Sequence, residues 1–346
     1  MSTKSRELSM GVIGAGRIGM LHAHNLARRV PHAQVVMVAD PRIACARAAA
    51  TVARAHAAVA DYREILAAPD VDAVVISAST DTHARIIGEA AAAGKHIFCE
   101  KPIDHDLDRI RTALQAVAKA GVRFQVGFNR RFDPDFQAMA RQVRSGSIGT
   151  PQLLRITSRD PEPPPADYIR VSGGLFLDMS IHDLDMARFL MQEPVVEVFA
   201  AGSAFDPAIL ALGDIDTAVI VLRFASGALC CIDNSRRAVY GYDQRLEVFG
   251  THGCLTVPNR TPTQVEHWDA SGQHRDRPQH FFLERYQESY VLELQEFVDC
   301  VRQGREISVS GHDGLQAIVL AQAARASLLQ GKPVQIDAAT MPLDAA

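Results

Sequence analysis

The chain has 346 residues, of which 47% are hydrophobic and 22% are charged, a composition typical of a folded globular protein with room for two domains. Its formal net charge of -4, with both signs mixed along the chain, excludes the basic stripe that a nucleic-acid backbone requires. No run approaches the roughly 18 apolar residues of a membrane span, and the segment MSTKSRELS lacks the apolar core of a secretory signal. We therefore expect a cytoplasmic protein without nucleic-acid or membrane partners.

The first 128 residues alternate short β-rich runs with helical runs. The strand candidates are MGVIGAG, VVMVAD, DAVVIS, HIFCEKP and VRFQVGF, and helical patterns separate them, including one over residues 17–29 and one from about Asp106. Strands that alternate with helices of this length need crossover connections and form a parallel sheet. Residues 1–128 are thus predicted to form an α/β Rossmann domain with a doubly wound parallel sheet.

Beyond residue 128 the pattern changes. The runs AVIVLRFASGALCCIDNS, QRLEVFG and CLTVPN are separated by turn residues, as in an antiparallel sheet, and two long helical patterns cover about 281–302 and 312–330. Residues 129–346 are predicted to form an α+β domain for substrate binding and oligomerisation. Its main element is expected to be a large, mainly antiparallel, open-faced sheet.

The stretch GVIGAGRIG fits the pattern G-x-G-x-x-G through Gly14, Gly16 and Gly19, directly after a strand and before a helix. The first glycine permits a tight turn, the second lets the backbone approach a pyrophosphate, and the third lets helix and strand pack closely. Asp40 ends the second strand, where a carboxylate binds the hydroxyls of an adenosine ribose. Arg42 is placed to reach a ribose 2'-phosphate, which Asp40 would repel, so we favour NAD over NADP.

The stretch GGLFLDMSIHDLDMARFL has helical apolar spacing, with Asp178, His182 and Asp185 at intervals of four and three. Such intervals place the three side chains on one helix face, where a histidine and a carboxylate can act on one ligand. The structural alternative is a hydrogen-bonded core histidine. A zinc site would need further ligands that are not evident nearby, so no metal is predicted.

Four motifs occur in order: the glycine turn, STDTHARI, FCEKP and DMSIHDLDMARFL. Together they resemble the Gfo/Idh/MocA oxidoreductase family over essentially the whole chain. Within that family, SRDPEPPP, GGLFLDMSIHD and YGYDQR are most similar to the myo-inositol 2-dehydrogenases.

The resemblance implies a role for each matching position. The implied catalytic residues are Lys101, Asp178 and His182. The implied cofactor-binding residues are Gly14, Gly16, Arg17, Ile18, Asp40, Arg42, Ser79, Thr80, His83, Glu100 and Arg130. The implied substrate-binding residues are Lys101, Asn129, Asp160, Asp178, His182, Asp185 and Tyr242.

The activity that the resemblance implies is NAD-dependent oxidation of a ring hydroxyl of a cyclic polyol to a ketone, with myo-inositol as the expected substrate and 2-keto-myo-inositol as the product. Two alternatives stay open at this point. In the first alternative, the substrate is another inositol isomer or a sugar. In the second, the chain is a dinucleotide-binding regulator without catalysis. The resemblance also suggests a homotetramer.

Overall fold

The computed structural model describes residues 6–337. Its strands are β1 (Leu8–Ile13), β2 (Ala33–Ala39), β3 (Ala57–Val59), β4 (Ala73–Ile76), β5 (His96–Glu100), β6 (Phe124–Gly127), β7 (Pro151–Arg159), β8 (Val195–Ser203), β9 (Thr217–Phe224), β10 (Leu229–Ser235), β11 (Asp243–Gly250), β12 (Gly253–Val257), β13 (Glu266–Asp269), β14 (Gly272–Arg275) and β15 (Val334–Gln335). Its α-helices are α1 (Arg17–Arg28), α2 (Ile43–Ala53), α3 (Arg63–Ala67), α4 (Thr80–Ala92), α5 (Leu107–Ala120), α6 (Pro134–Arg144), α7 (Ala166–Ser172), α8 (Ile181–Met191), α9 (Pro207–Leu210), α10 (Phe282–Arg285), α11 (Gln287–Gln303) and α12 (Gly311–Gln330). A 3-10 helix at Asn129–Phe132 follows β6, and a π-helical turn at Phe176–Ser180 precedes α8.

The contacts divide the chain into two compact units. The first unit runs through Phe132 and also contains Glu288–Leu315, and the second contains Asp133–Gln287 and the residues from Gln316 onward. The sequence places a boundary after residue 128, close to the first of these limits. The sequence gives no signal that Glu288–Leu315 belongs to a different unit from the residues on either side of it.

The first unit contains a six-stranded sheet in the order β3-β2-β1-β4-β5-β6, in which every pair of neighbours is parallel. All six residues of β1 and all four of β4 are buried, as expected for strands that helices cover on both faces. This order is that of the Rossmann fold, and it confirms the predicted doubly wound domain. Ligands of such sheets bind beside the carboxyl ends of the strands where the order reverses, here β1 and β4.

Helix α11 belongs to the first unit because its apolar face completes the core of that unit. Leu294, Phe297 and Val298 are fully buried in one cluster with residues of β1, β2, β4 and β5. The rings of Phe98 and Phe297 meet edge to face, with their centroids 6.0 Å apart. The division into units therefore follows this hydrophobic contact rather than chain order.

The second unit contains a seven-stranded sheet in the order β12-β11-β7-β10-β9-β8-β15. Its pairs are antiparallel except for the parallel pair β7 and β10, which agrees with the predicted mainly antiparallel sheet. A separate hairpin pairs β13 with β14. Burial alternates along β9 and β10, so one sheet face is buried and the opposite face is exposed.

The predicted helix of the second unit is present, but it begins with a π-helical turn. Asp178 lies in that turn, whereas His182 and Asp185 lie in α8. Single π-helical turns within helices are frequent at functional sites. Within residues 6–337, no helix has the length and apolarity needed to cross a membrane.

Candidate active site

The glycine turn between β1 and α1 has the geometry that its three glycines were expected to serve. Gly14 has φ of +92°, and a Cβ on it would lie 2.6 Å from the backbone of Ser77 and Ala78. A Cβ on Gly19 would lie 1.9 Å from the Gly14 carbonyl oxygen, so glycine is required at both positions. Around Gly16, by contrast, nothing lies within 4 Å of the Cβ position. The backbone is accessible at the one glycine that was expected to face a pyrophosphate.

Gly16 is also the N-cap of α1, and it contributes no side-chain cap. Arg17 and Ile18 form the first turn of this helix, where backbone N–H groups point away from the helix and the helix dipole favours an anion. The turn and the helix N-terminus together fit a dinucleotide phosphate group.

The carboxylate of Asp40 is fixed beside the glycine turn. Its Oδ2 accepts a hydrogen bond of 2.9 Å from the backbone N–H of Ala15, and its Oδ1 accepts one of 2.8 Å from the N–H of Arg42. The Arg42 side chain is 73% exposed, and its Nε lies 3.6 Å from Asp40 Oδ1. The Arg42 guanidinium is thus close to the negatively charged Asp40 carboxylate. Because that carboxylate repels a 2'-phosphate, the arrangement favours a ribose with a free 2'-hydroxyl.

His83 joins the loops that follow β4 and β5. Its Nδ1 lies 2.8 Å from the carbonyl oxygen of Pro102, and its Nε2 lies 3.0 Å from that of Ala78. Burial lowers the pKa of His83, although the two carbonyl contacts act in the opposite direction. Both nitrogens face the main chain, so this side chain holds the turn containing Ser79 and Thr80 near the residue that follows Lys101.

Glu100 ends β5 immediately before Lys101, and its carboxylate turns toward helix α1. Glu100 Oε1 lies 2.7 Å from Nε2 of His22, and a Cβ on Gly127 would lie 3.2 Å from the same carboxylate. The Glu100 carboxylate therefore connects the end of β5 to α1. His22 packs against the rings of Phe98 and Tyr290, and its hydrogen-bond partner Glu100 is 78 residues away in the sequence.

Glu293 of α11 completes a buried cluster with His22 and Glu100, and the ligand atoms of the three lie within 4.8 Å of one another. Both Glu293 oxygens are buried without a hydrogen-bond partner among the described residues. Burial raises the pKa of Glu293 well above its ordinary value, and the negative charge of Glu100 adds to this effect. Within the cluster His22 and Glu100 are joined by a hydrogen bond, and the Glu293 carboxyl packs beside them.

The remaining predicted residues of the first unit follow the ends of its last two strands. Lys101 is half-buried after β5, and Asn129 and Arg130 are buried in the 3-10 helix after β6. The carboxyl ends of parallel strands meet at one edge of a sheet, which is also the edge of the glycine turn.

In the second unit, Asp178 is held by side chains from two other elements. Its Oδ1 accepts a hydrogen bond of 2.8 Å from the hydroxyl of Tyr168 in α7, and its Oδ2 lies 3.6 Å from Nη1 of Arg236, which follows β10. His182 is half-buried one turn further along, and Asp185 is 1% exposed. An imidazole and an oriented carboxylate thus occur on neighbouring helical turns, a combination suited to proton transfer at a hydroxyl group.

Two further predicted residues lie in the same unit. Asp160 follows β7, and its backbone accepts from Ala238 and donates to Ser235. Tyr242 is buried, and its ring meets that of Tyr286 edge to face at 6.0 Å. The roles of Asp160 and Tyr242 in substrate binding stay predictions.

Sequence reasoning did not single out Tyr168 or Arg236. A signal for Arg236 exists in the alternation of β10, in which Cys230, Ile232 and Asn234 occupy the buried face and Arg236 continues the same series. A charged residue in a buried series requires a partner of opposite charge.

The chain belongs to the Gfo/Idh/MocA oxidoreductase family. Residues 8–128 match its NAD-binding Rossmann-fold domain, and residues 136–256 match its C-terminal domain. The chain is 51% identical over 334 residues to the uncharacterized oxidoreductase YrbE of Bacillus subtilis, and the aligned region covers 96% of this chain and 98% of that protein. It is 48% identical over 331 residues to the myo-inositol 2-dehydrogenase of Thermotoga maritima, with 95% and 99% covered.

Solved structures show the same similarity. The structure of a putative myo-inositol dehydrogenase from Sinorhizobium meliloti has a TM-score of 0.92 at 45% identity and covers 95% of this chain and 100% of its own. The scyllo-inositol dehydrogenase from Lactobacillus casei with bound NAD(H) and scyllo-inositol has a TM-score of 0.89 at 29% identity, with 95% and 99% covered. These comparisons establish the family and an NAD-binding oxidoreductase domain.

Replacement of Gly16 by alanine tests the phosphate-binding turn. Gly16 has φ of -73°, which alanine adopts without strain, so the melting temperature of Gly16→Ala should equal that of the wild type. The added methyl group blocks the approach of the pyrophosphate, and we expect the Kd for NADH to rise by about ten-fold or more. Fluorescence titration measures this Kd. The matched control is Gly88→Ala in α4, where a Cβ also has nothing within 4 Å. An unchanged Kd in Gly16→Ala would remove the turn from the cofactor site.

Replacement of Glu293 by glutamine tests the buried carboxyl cluster. Because the folded state keeps the Glu293 proton to a higher pH than the unfolded chain, the wild type loses stability as the pH rises above the ordinary pKa of 4.5. Glu293→Gln cannot lose a proton, so its melting temperature should match that of the wild type below pH 4.5 and exceed it increasingly toward pH 8. The control is Glu288→Gln, an exposed position on α11. Parallel curves for Glu293→Gln and the wild type would contradict the raised pKa.

Proposed function

We propose that this protein is an NAD-dependent inositol dehydrogenase that oxidises one ring hydroxyl of myo-inositol to a ketone, giving 2-keto-myo-inositol. The observation that carries the proposal is the 48% identity to a myo-inositol 2-dehydrogenase over 95% of the chain, with Lys101, Asp178 and His182 all present. The relative that was solved with NAD(H) and scyllo-inositol supports the same substrate class.

The fit to NAD rests on the first unit. Gly16 leaves the backbone accessible, α1 presents its N-terminus, and the Asp40 carboxylate is fixed beside the turn, where it would accept hydrogen bonds from the hydroxyls of a ribose. When bound, NAD supplies the two-electron acceptor, which takes the hydrogen and the electron pair of the substrate C–H bond while the hydroxyl proton goes to a protein base. Asp40 disfavours the additional phosphate of NADP.

In the proposed mechanism His182 takes the hydroxyl proton. The unperturbed pKa of an imidazole, about 6.5, suits a base that works near neutral pH. Asp178, which Tyr168 and Arg236 hold in place, orients the imidazole or binds an adjacent hydroxyl. The Lys101 ammonium stabilises the negative charge that develops on the substrate oxygen. Asn129, Asp160, Asp185 and Tyr242 are proposed to bind the polyol.

A second proposal concerns assembly. The exposed face of the seven-stranded sheet carries large apolar side chains, and two of them, Phe199 and Val221, are paired across β8 and β9. Phe199, Val219, Val221, Leu229 and Phe249 are each 36–47% exposed. An apolar patch of this kind is typical of a subunit interface. We propose that second copies of the chain cover this face in a homotetramer.

A cytoplasmic location is part of the same proposal. All six cysteines are thiols, and Cys99, Cys230 and Cys300 are buried. Burial raises the pKa of the Cys99 and Cys230 thiols well above the ordinary value, which keeps them protonated and unreactive. Reduced thiols of this kind suit a reducing compartment.

The activity is tested with a panel of inositol isomers and sugars, assayed for NADH formation and, in parallel, for NADPH formation. We expect turnover of myo-inositol with NAD. His182→Ala should lower kcat by about two to four orders of magnitude, the usual range for a general base, and should leave the Kd for NADH unchanged. The control is His267→Ala, whose side chain is 71% exposed. Saturable NADH binding without turnover of any panel member would favour a dinucleotide-binding regulator.

The assembly is tested by light scattering at micromolar concentration. The wild type should have about four times the subunit mass. Val221→Glu places a charge between Phe199 and Cys231 on the exposed sheet face and should yield smaller species. The control is Leu329→Glu, an exposed position on α12. A stable wild-type monomer would refute the assembly but not the chemistry.

A further inference from the structure

The side chain of Arg236 is a buried cation between two carboxylates of the second unit. It is only 1% exposed, its Nη1 lies 3.6 Å from Asp178 Oδ2, and its Nη2 lies 3.4 Å from Asp214 Oδ2. Burial of a guanidinium is costly, and buried ion pairs often stabilise a fold no better than apolar packing does. Fold stability by itself therefore does not account for this cation.

Asp178 is held on both sides. Tyr168 donates to one carboxylate oxygen at 2.8 Å, and Arg236 faces the other. Tyr168 belongs to α7, whereas Arg236 directly follows β10. A carboxylate held by two groups from separate elements loses the rotational freedom that a single contact would leave it.

Arg236 also acts on the backbone that leads into the π-helical turn. Its second carboxylate partner, Asp214, accepts a hydrogen bond of 3.1 Å from the N–H of Leu175. A Cβ on Gly174, whose φ is +86°, would lie 2.8 Å from the same oxygen, so the carboxylate lies close against this backbone. One guanidinium is thus linked to the Asp178 side chain directly and to the start of its helical turn through Asp214.

We propose that Arg236 is a positioning residue that fixes the Asp178 carboxylate for substrate oxidation. Its effect on turnover rests on the proposed function, whereas its effect on the Asp178 geometry does not. A displacement of about 1 Å at a reacting group can lower the rate about 100-fold, so loss of Arg236 should be seen mainly in catalysis.

The first test compares Arg236→Met, which removes the charge at similar length, with Arg236→Lys, which keeps the charge without the planar fork. For Arg236→Met we expect kcat/KM for myo-inositol to fall about 100-fold with an unchanged Kd for NADH. Arg236→Lys should give an intermediate value. The matched control is Arg237→Met, because Arg237 is the next residue, is 59% exposed and pairs with Asp206 instead. Near-wild-type kcat/KM in folded Arg236→Met would overturn the proposal.

Arg236→Met leaves Asp178 and Asp214 without the cation between them. If that variant does not fold, a second variant takes its place in the test. In Arg236→Met/Asp214→Asn one negative charge is removed with the cation, and the amide oxygen still accepts from Leu175. Low kcat/KM in this folded double variant, relative to Asp214→Asn alone, supports positioning. Equal kcat/KM in the two would show that Arg236 only balances charge.

A crystal structure of Arg236→Met separates this proposal from the proposed function. If the wild type oxidises no panel member, the proposed function fails, and the structure then decides the positioning role alone. We expect the Asp178 carboxylate to leave hydrogen-bond distance of the Tyr168 hydroxyl. An Asp178 carboxylate that keeps its wild-type position would overturn the inference even with a low rate.

Discussion

The second unit depends on a set of polar contacts between one helical segment and the strand beneath it. Ionisable side chains within a packed helix are costly unless each has a partner. Strand β10 and the residue after it supply such partners: Asn234 donates to the fully buried Asp183 at 2.8 Å and accepts from Ser180, and Arg236 faces Asp178. The same contacts that offset the cost of burial hold the helix in one register over the sheet. Stability and site geometry therefore have a common origin here.

The first unit has a corresponding contact at its own site. The pair formed by His22 and Glu100 connects α1, which begins at the glycine turn, to the strand end that carries Lys101. His22 is packed against the rings of Phe98 and Tyr290, so the pair cannot shift without repacking the core. The His22–Glu100 hydrogen bond thereby links the glycine turn, which is proposed to bind the cofactor, to the strand end that carries Lys101, which is proposed to act in catalysis.

Much of the site could be predicted because its signals are local in sequence. The glycine turn, the carboxylate that ends the second strand and the helical spacing of Asp178 and His182 each lie within a few residues of the element that positions them. The π-helical form of the first turn was not predictable in this way. Apolar spacing does not distinguish one wider turn from a regular α-helix, and the turn is stabilised by the distant Asp214.

The sequence by itself determined the alternation of strands and helices in the Rossmann domain, the glycine turn and the helical spacing of Asp178 and His182, because backbone geometry and side-chain periodicity act over short distances. The residues proposed for catalysis came from the resemblance of its motifs to a known family. Only the tertiary structure decided that α11 completes the core of the first unit and that Glu100 is paired with His22. It also decided that Arg236 lies between Asp178 and Asp214. These contacts join residues that are 22 to 199 positions apart. Partners at such separations are selected by the packing of whole elements, which no local pattern records.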